Sequence, residues 1–238
     1  MVRSQFWVLW SIVGLMSLTP GWGEEAKKDE NLNRLPSDNQ ATYYLLLPPG
    51  YKSATTYPLI VSLHGAGEKG DRMVRYWKEA AAQRGFFLCC PNSEGFTWST
   101  KDLMRIIKIM EYVEHFYSID SQRVLLNGVS AGGAVTYYLG LAMPNQFHYL
   151  NPMSAGFSDA FLPLLKKAKP AAAYITHGLK DNVIPPSAGS DAAKLLQLNG
   201  FDVTYVERPN DGHQVPEGEQ ETILAWFENK CESKIIGK

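Results

Sequence analysis

One serine of this sequence lies in a pattern that suits nucleophilic catalysis. The pentapeptide Gly128-Val129-Ser130-Ala131-Gly132 has the form G-x-S-x-G, with a short apolar run before it and a helical pattern after it. A sharp strand-to-helix turn at such a motif lifts the serine hydroxyl out of a sheet, and the flanking glycines make room for the turn. The free N–H groups of the following helix favour a developing negative charge. Ser130 is therefore the predicted nucleophile.

A serine hydroxyl is a weak nucleophile near neutral pH, so it needs a base and an acid that orients the base. His213 follows Gly212 in a loop before the last helical pattern, and it is the predicted base. Asp181 is the predicted acid, because the chain order Ser, Asp, His is that of α/β-hydrolases. Asp211, two residues before the histidine, is a rival for the same role.

The reaction also requires N–H donors for the oxyanion that forms at the substrate carbonyl. The loop at residues 63–68 follows an apolar run, in the position where an α/β-hydrolase supplies one donor. We expect the N–H groups of Ala66 and Ala131 to form this oxyanion hole, with Gly67 as the alternative to Ala66. His64 and His177 are expected to hold their loops by hydrogen bonds.

Short apolar runs and helical patterns alternate along the chain and must position these residues. The predicted strands are residues 42–47, 58–63, 86–90, 124–126, 149–154, 171–176 and 203–206, and the predicted helices are residues 74–84, 102–116, 131–143, 187–198 and 220–230. This alternation predicts an α/β fold with a mostly parallel sheet and helices on both of its faces. Functional residues of such sheets collect in loops beyond the carboxyl ends of the strands.

Length and charge limit the classes of function. The chain has 238 residues and a formal net charge of −1, which suits one globular domain and gives no electrostatic reason to expect nucleic acid as a partner. The five histidines form no HExxH pair and the three cysteines no CxxC, so no metal is expected. Cys231 could form a disulfide with Cys89 or Cys90, or all three could be buried thiols.

The first 40 residues suggest export. Arg3 precedes a roughly 13-residue apolar stretch, too short for the ~20 residues of a spanning helix, and small residues at Gly21 and Gly23 follow it. We expect a signal peptide at residues 1–23, a polar linker at residues 24–40 and a catalytic domain at residues 41–238. The protein would then be secreted or periplasmic, with no stable membrane insertion after cleavage. An uncleaved anchor or a buried helix is the alternative.

Three segments resemble a known group of enzymes. Residues 117–134, 63–68 and 181–185 are similar to secreted feruloyl and acetyl-xylan esterases and polyhydroxybutyrate depolymerases, and to the neighbouring phospholipase/carboxylesterase and prolyl-oligopeptidase-like hydrolases. The resemblance covers nearly all of the chain from about residue 42. It implies an α/β-hydrolase fold and ester hydrolysis through an acyl-enzyme without a cofactor.

The spacing of the predicted elements bears on the substrate. Only about 16 residues separate the predicted strands at 149–154 and 171–176, which leaves no room for a sizeable lid. An uncovered site predicts an accessible or polymer-linked acyl ester as the partner. Trp77, Trp98 and Phe157 could line the acyl pocket, but at 12% aromatic residues most such side chains are expected to belong to the core. A prolyl-oligopeptidase-like serine peptidase and a non-catalytic binding protein on the same scaffold are the alternative functions.

Overall fold

The strands form one eight-stranded sheet in a computed structural model that describes residues 32–169 and 171–236. In spatial order the strands are β1 (Leu32–Leu35), β2 (Asp38–Leu46), β4 (Phe87–Pro91), β3 (Tyr57–Leu63), β5 (Ile119–Val129), β6 (Tyr149–Met153), β7 (Ala172–Gly178) and β8 (Asp202–Arg208). The pairings of β2 with β1 and with β4 are antiparallel, and all the others are parallel. The predicted mostly parallel sheet is confirmed.

Helices cover both faces of this sheet, as predicted. They are α1 (Gly70–Arg84), α2 (Thr100–Phe116), α3 (Ala131–Ala142), α4 (Leu162–Leu165), α5 (Pro186–Leu198) and α6 (Gln220–Ile236), with a 3-10 turn at Asp159–Phe161. Side chains of α2, α3 and α5 share one apolar core with Leu59 and Val61 of β3, whereas α1 and α6 share the other with Ile60. Successive strand residues point to opposite faces, so a strand buried on both faces is a continuous apolar run.

The prediction of a polar linker at residues 24–40 is wrong from residue 32 onward. Residues 32–35 and 38–40 belong to β1 and β2 of the sheet, so the folded domain begins before residue 41. Their polarity has a structural cause. The guanidinium of Arg105, only 4% exposed, donates to the carboxylate of Asp38 (2.8 Å) and to the amide oxygen of Gln40 (3.0 Å). Residues 1–31, including the predicted signal peptide, lie outside the described residues.

Several elements begin earlier than their apolar patterns indicated. Helix α2 starts at Thr100 because Ser99 and Asp102 form a reciprocal capping box at its N-terminus. Strand β5 starts at Ile119, since this residue already pairs with Tyr57 of β3, before the register shift that leads to Val124. Among the described residues, no helix combines the length and the apolar character needed to cross a membrane.

The three cysteines are buried, and none of them forms a disulfide. Cys89 contributes to the core on one face of the sheet, whereas Cys90 and Cys231 contribute to the core on the other face. Burial raises the pKa of the Cys89 and Cys90 thiols, because a thiolate would lie in an apolar environment. The cysteines therefore behave as small apolar core residues, the second of the two possibilities that the sequence left open.

Candidate active site

Ser130 lies on a strained turn between β5 and α3. Its backbone has φ 54° and ψ −116°, outside the usual regions for a residue with a side chain. The two flanking glycines are required by close backbone contacts. A Cβ atom on Gly132 would lie 2.3 Å from the carbonyl oxygen of Leu63, and one on Gly128 would lie 2.3 Å from that of Gly132. The sharp turn predicted for the G-x-S-x-G sequence is thus present.

The imidazole of His213 links the other two residues of the predicted triad. The Ser130 hydroxyl lies 2.9 Å from Nε2 of His213, and Nδ1 of the same ring lies 2.8 Å from Oδ2 of Asp181. In the neutral ring, Nδ1–H donates to Asp181 and Nε2 accepts from Ser130. The three residues come from loops that follow β5, β7 and β8, so the sheet brings the predicted nucleophile, base and acid together at its carboxyl edge.

The carboxylate of Asp181 is buried and held on both of its oxygens. Oδ1 accepts hydrogen bonds from the N–H groups of Val183 and Ile184, each at 2.9 Å. Burial would raise the pKa of Asp181, but the hydrogen bond from His213 and these two backbone bonds outweigh it and lower the pKa. The acid is therefore ionised and oriented for His213.

The rival acid Asp211 forms hydrogen bonds with residues other than His213. Its carboxylate accepts a hydrogen bond from Nε of Arg208 at 2.8 Å, and its carbonyl oxygen accepts from the N–H of Lys180 at 2.9 Å. Nδ1 of His213 faces Asp181 instead. Asp211 thus shapes the loop that carries the histidine but does not take the place of the acid.

Two backbone N–H groups are available beside the nucleophile. The loop after β3 passes close to Ser130, because a Cβ atom on Gly65 would lie 3.7 Å from the Ser130 Cβ. Within the described part of the chain, neither Ala66 nor Ala131 donates its N–H to a protein acceptor. The alternative donor, Gly67, gives its N–H to the carbonyl oxygen of Phe96 at 2.7 Å, so it is already occupied.

His64 and His177 hold loops, as expected. Nδ1 of His64 lies 2.7 Å from the carbonyl oxygen of Gly65, and its Nε2 accepts the N–H of Ser93 at 3.1 Å. Burial lowers the pKa of His64, so this ring is neutral. Nε2 of His177 lies 3.0 Å from the carbonyl oxygen of Ile184 and 3.2 Å from Oδ2 of Asp181.

The aromatic residues named from the sequence are mostly structural. Trp77 is fully buried, and Trp98 packs against His64 with 4.5 Å between the ring centroids. Phe157 packs edge-on against Tyr137. Sequence reasoning missed Phe96, which is 76% exposed with its ring in contact with Gly67. No signal in the sequence separates this phenylalanine from a core residue.

Comparisons with known proteins identify the family of this chain. The phospholipase/carboxylesterase family model matches residues 92–230, more than half of the chain. Feruloyl esterase C of Emericella nidulans is 27% identical over 206 residues, which cover 82% of this chain and 74% of the relative.

Two solved structures share the fold. A ferulic acid esterase from Anaeromyces mucronatus, in complex with ferulic acid, has a TM-score of 0.62 at 17% identity and covers 89% of this chain and 92% of its own. An acetyl xylan esterase from Aspergillus awamori has a TM-score of 0.66 at 15% identity, and the match covers 86% of this chain and 98% of the esterase. The chain belongs to the phospholipase/carboxylesterase family of the α/β-hydrolase superfamily and is a carboxylic-ester hydrolase.

Proposed function

We propose that this protein is a secreted serine carboxylesterase that cleaves accessible or polymer-linked acyl esters through an acyl-enzyme intermediate. The observation that carries the proposal is the continuous hydrogen-bonded path from Ser130 through His213 to Asp181, with distances of 2.9 and 2.8 Å. This is the arrangement that activates a serine hydroxyl in acyl transfer.

The reaction follows from these contacts. Nε2 of His213 takes the hydroxyl proton as the oxygen of Ser130 attacks the ester carbonyl carbon. The carbonyl oxygen becomes an oxyanion, which the N–H groups of Ala66 and Ala131 stabilise. His213 then gives its proton to the departing alcohol, leaving an acyl group on the serine. Water, deprotonated by the same imidazole, attacks the acyl carbon, and the imidazole returns this proton to the Ser130 oxygen as the bond to the acyl group breaks and the acid leaves.

The rim of the site favours substrates that cannot enter a closed pocket. In the described residues between β6 and β7, the chain forms the 3-10 turn and the one-turn helix α4, where Phe161 packs against Tyr138 of α3. Phe96 and Val183, on loops either side of the nucleophile, are 76% and 66% exposed. Such an open site with an apolar rim suits an acyl group attached to a large extracellular chain. Relatives named as feruloyl and acetyl xylan esterases support this substrate class.

Secretion rests on the first residues of the chain. The basic start, the short apolar stretch and the small residues before Glu24 favour a cleaved signal peptide. Expression of the full chain in a secreting host, followed by sequencing of the N-terminus of the mature protein, tests this. A start at residue 24 in the culture medium or periplasm supports it, and an intact Met1 in the membrane fraction contradicts it.

A serine peptidase related to prolyl oligopeptidases is the alternative, because the same triad cleaves amides. The two functions differ in the leaving group, which is an alcohol from an ester and an amine from an amide. Matched p-nitrophenyl ester and p-nitroanilide substrates with the same acyl group separate them. A carboxylesterase cleaves the ester and leaves the anilide essentially intact.

The substrate class is tested with pairs that share an acyl group. Acetylated xylan is compared with p-nitrophenyl acetate, and feruloylated arabinoxylan with methyl ferulate, with Ser130→Ala as the control for background hydrolysis. Release of acetate or ferulate from the polymers supports the proposal. Hydrolysis confined to the small esters contradicts the polymer-linked class but leaves the esterase activity intact.

A further inference from the structure

Ser154, like the nucleophile Ser130, has a positive backbone φ angle. Among the described residues, Ser130 and Ser154 are the two non-glycine residues with positive φ, at 54° and 45°. Residues with side chains persist in this region only when their surroundings hold them there, and they concentrate at functional sites. Ser154 directly follows β6, at the carboxyl edge of the sheet, and is only 3% exposed.

The end of β6 is hydrogen-bonded to the segments that carry all three triad residues. The carbonyl oxygen of Met153 accepts the N–H of Ser130 at 2.9 Å, and the N–H of Ser154 donates to Thr176, in the strand before Asp181, at 2.9 Å. The Ser154 hydroxyl donates to the carbonyl oxygen of Gln214, the residue after His213, at 3.1 Å. Met153 and Ser154 therefore form hydrogen bonds with the nucleophile, with the strand before the acid and with the loop that carries the base.

Among the hydrogen bonds of the described residues, the one from the Ser154 hydroxyl is the first that holds the backbone on the C-terminal side of His213. On the N-terminal side, the loop is held through Asp211, whose carbonyl oxygen accepts the N–H of Lys180. Beyond Gln214, the next hydrogen bond is from the Tyr76 hydroxyl to the carbonyl oxygen of Pro216 at 2.9 Å. Loss of the Ser154 hydroxyl would therefore free the backbone immediately after His213 and allow its ring to shift.

We propose that Ser154 is a positioning residue that fixes the His213 imidazole for proton transfer. The inference rests on the proposed function, in which His213 is the base and then the acid. Ser154 itself is not a second nucleophile, because its hydroxyl is buried and donates to a carbonyl oxygen instead of to a base. Its role depends on both the hydroxyl and the strained backbone that aims it.

The test uses Ser154→Ala and Ser154→Gly, with Ser190→Ala as the matched control. The Ser190 hydroxyl also donates to a backbone carbonyl oxygen, that of Ser187 at 3.1 Å, but it lies on helix α5. Glycine relieves the positive φ and alanine does not, so the glycine variant should melt at the higher temperature of the two. This second variant keeps the test decisive if the alanine variant does not fold.

The readout is kcat/KM on two acetate esters that differ in the alcohol, p-nitrophenyl acetate and ethyl acetate. Ethoxide needs a proton from His213 to leave, and p-nitrophenoxide does not. A misplaced imidazole should lower kcat/KM on ethyl acetate by about 10- to 100-fold. The loss on p-nitrophenyl acetate should be several-fold smaller. A merely structural defect would lower both rates equally.

Equal losses on the two esters, or wild-type rates in Ser154→Gly, would overturn the proposal. If the wild-type protein hydrolyses neither these acetates nor methyl ferulate, the proposed function fails, and labelling of Ser130 by a fluorophosphonate decides the positioning role separately. A slower labelling rate constant in Ser154→Gly than in Ser190→Ala supports that role, and equal rate constants contradict it.

Discussion

Asp181→Asn isolates the orientation of His213, because the structure fixes which way the new amide would lie. Oδ1 of Asp181 accepts the N–H groups of Val183 and Ile184, so the amide oxygen of the variant must take that position to keep an acceptor there. The amide nitrogen then faces Nδ1 of His213 in place of Oδ2. Two N–H donors cannot face each other, so the imidazole would carry its proton on Nε2 and could not accept the proton of Ser130.

The expected effect is a loss of about 10⁴-fold in kcat, as in other serine triads with this substitution, which corresponds to about 5 kcal/mol in the barrier. The assay is hydrolysis of p-nitrophenyl acetate near neutral pH, with circular dichroism to confirm the fold. Asp211→Asn is the matched control, since that carboxylate binds Arg208 and not the imidazole. Retention of more than about a tenth of the activity in Asp181→Asn, or a larger loss in Asp211→Asn than in Asp181→Asn, would contradict this role of Asp181.

Two further predictions concern packing and charge. Gly132→Ala should destabilise the protein by roughly 1–3 kcal/mol and impair catalysis, because its Cβ would lie 2.3 Å from the Leu63 carbonyl oxygen. The control is Gly95→Ala, whose Cβ would meet nothing nearer than 3.8 Å. Thermal melting should give a lower melting temperature for Gly132→Ala, and equal melting temperatures would contradict the prediction. Arg105→Met should destabilise by about 3 kcal/mol at pH 7, because it leaves Asp38 and the buried Asp102 without their cation. The hydrogen bond from Arg105 lowers the pKa of Asp38, so this stabilisation is present above the ordinary value of 3.8 and is lost as the pH falls through the lower folded value. Urea unfolding at pH 7 and pH 3 should show a smaller pH dependence in Arg105→Met than in the wild type, and an unchanged dependence would argue against the pairing.

Much of the site could be predicted because its chemistry leaves a pattern in the sequence. The G-x-S-x-G motif requires glycines on both sides of Ser130 for steric reasons, and the parallel sheet places the loops of Asp181 and His213 at the same edge. Those constraints are local or topological, so residue type and chain order express them.

What the sequence did not reveal depends on contacts between distant residues. The polarity of Asp38 and Gln40 resembled a linker, because their partner Arg105 lies 65 or more residues away. The positive φ of Ser154 has no signature of its own, since a serine after a strand is ordinary. The exposure of Phe96 likewise follows from how its loop lies on Gly67.

In the proposed mechanism, Ser130 carries the acyl group of the intermediate. The direct measurement is mass spectrometry of the protein quenched during turnover of a slow ester, with peptide mapping of the adduct. We expect an acyl group on the peptide that contains Ser130. For Ser130→Ala we expect no adduct and a loss of at least about 10⁴-fold in kcat. An adduct on another residue, or a Ser130→Ala variant that keeps the wild-type rate, would contradict this mechanism.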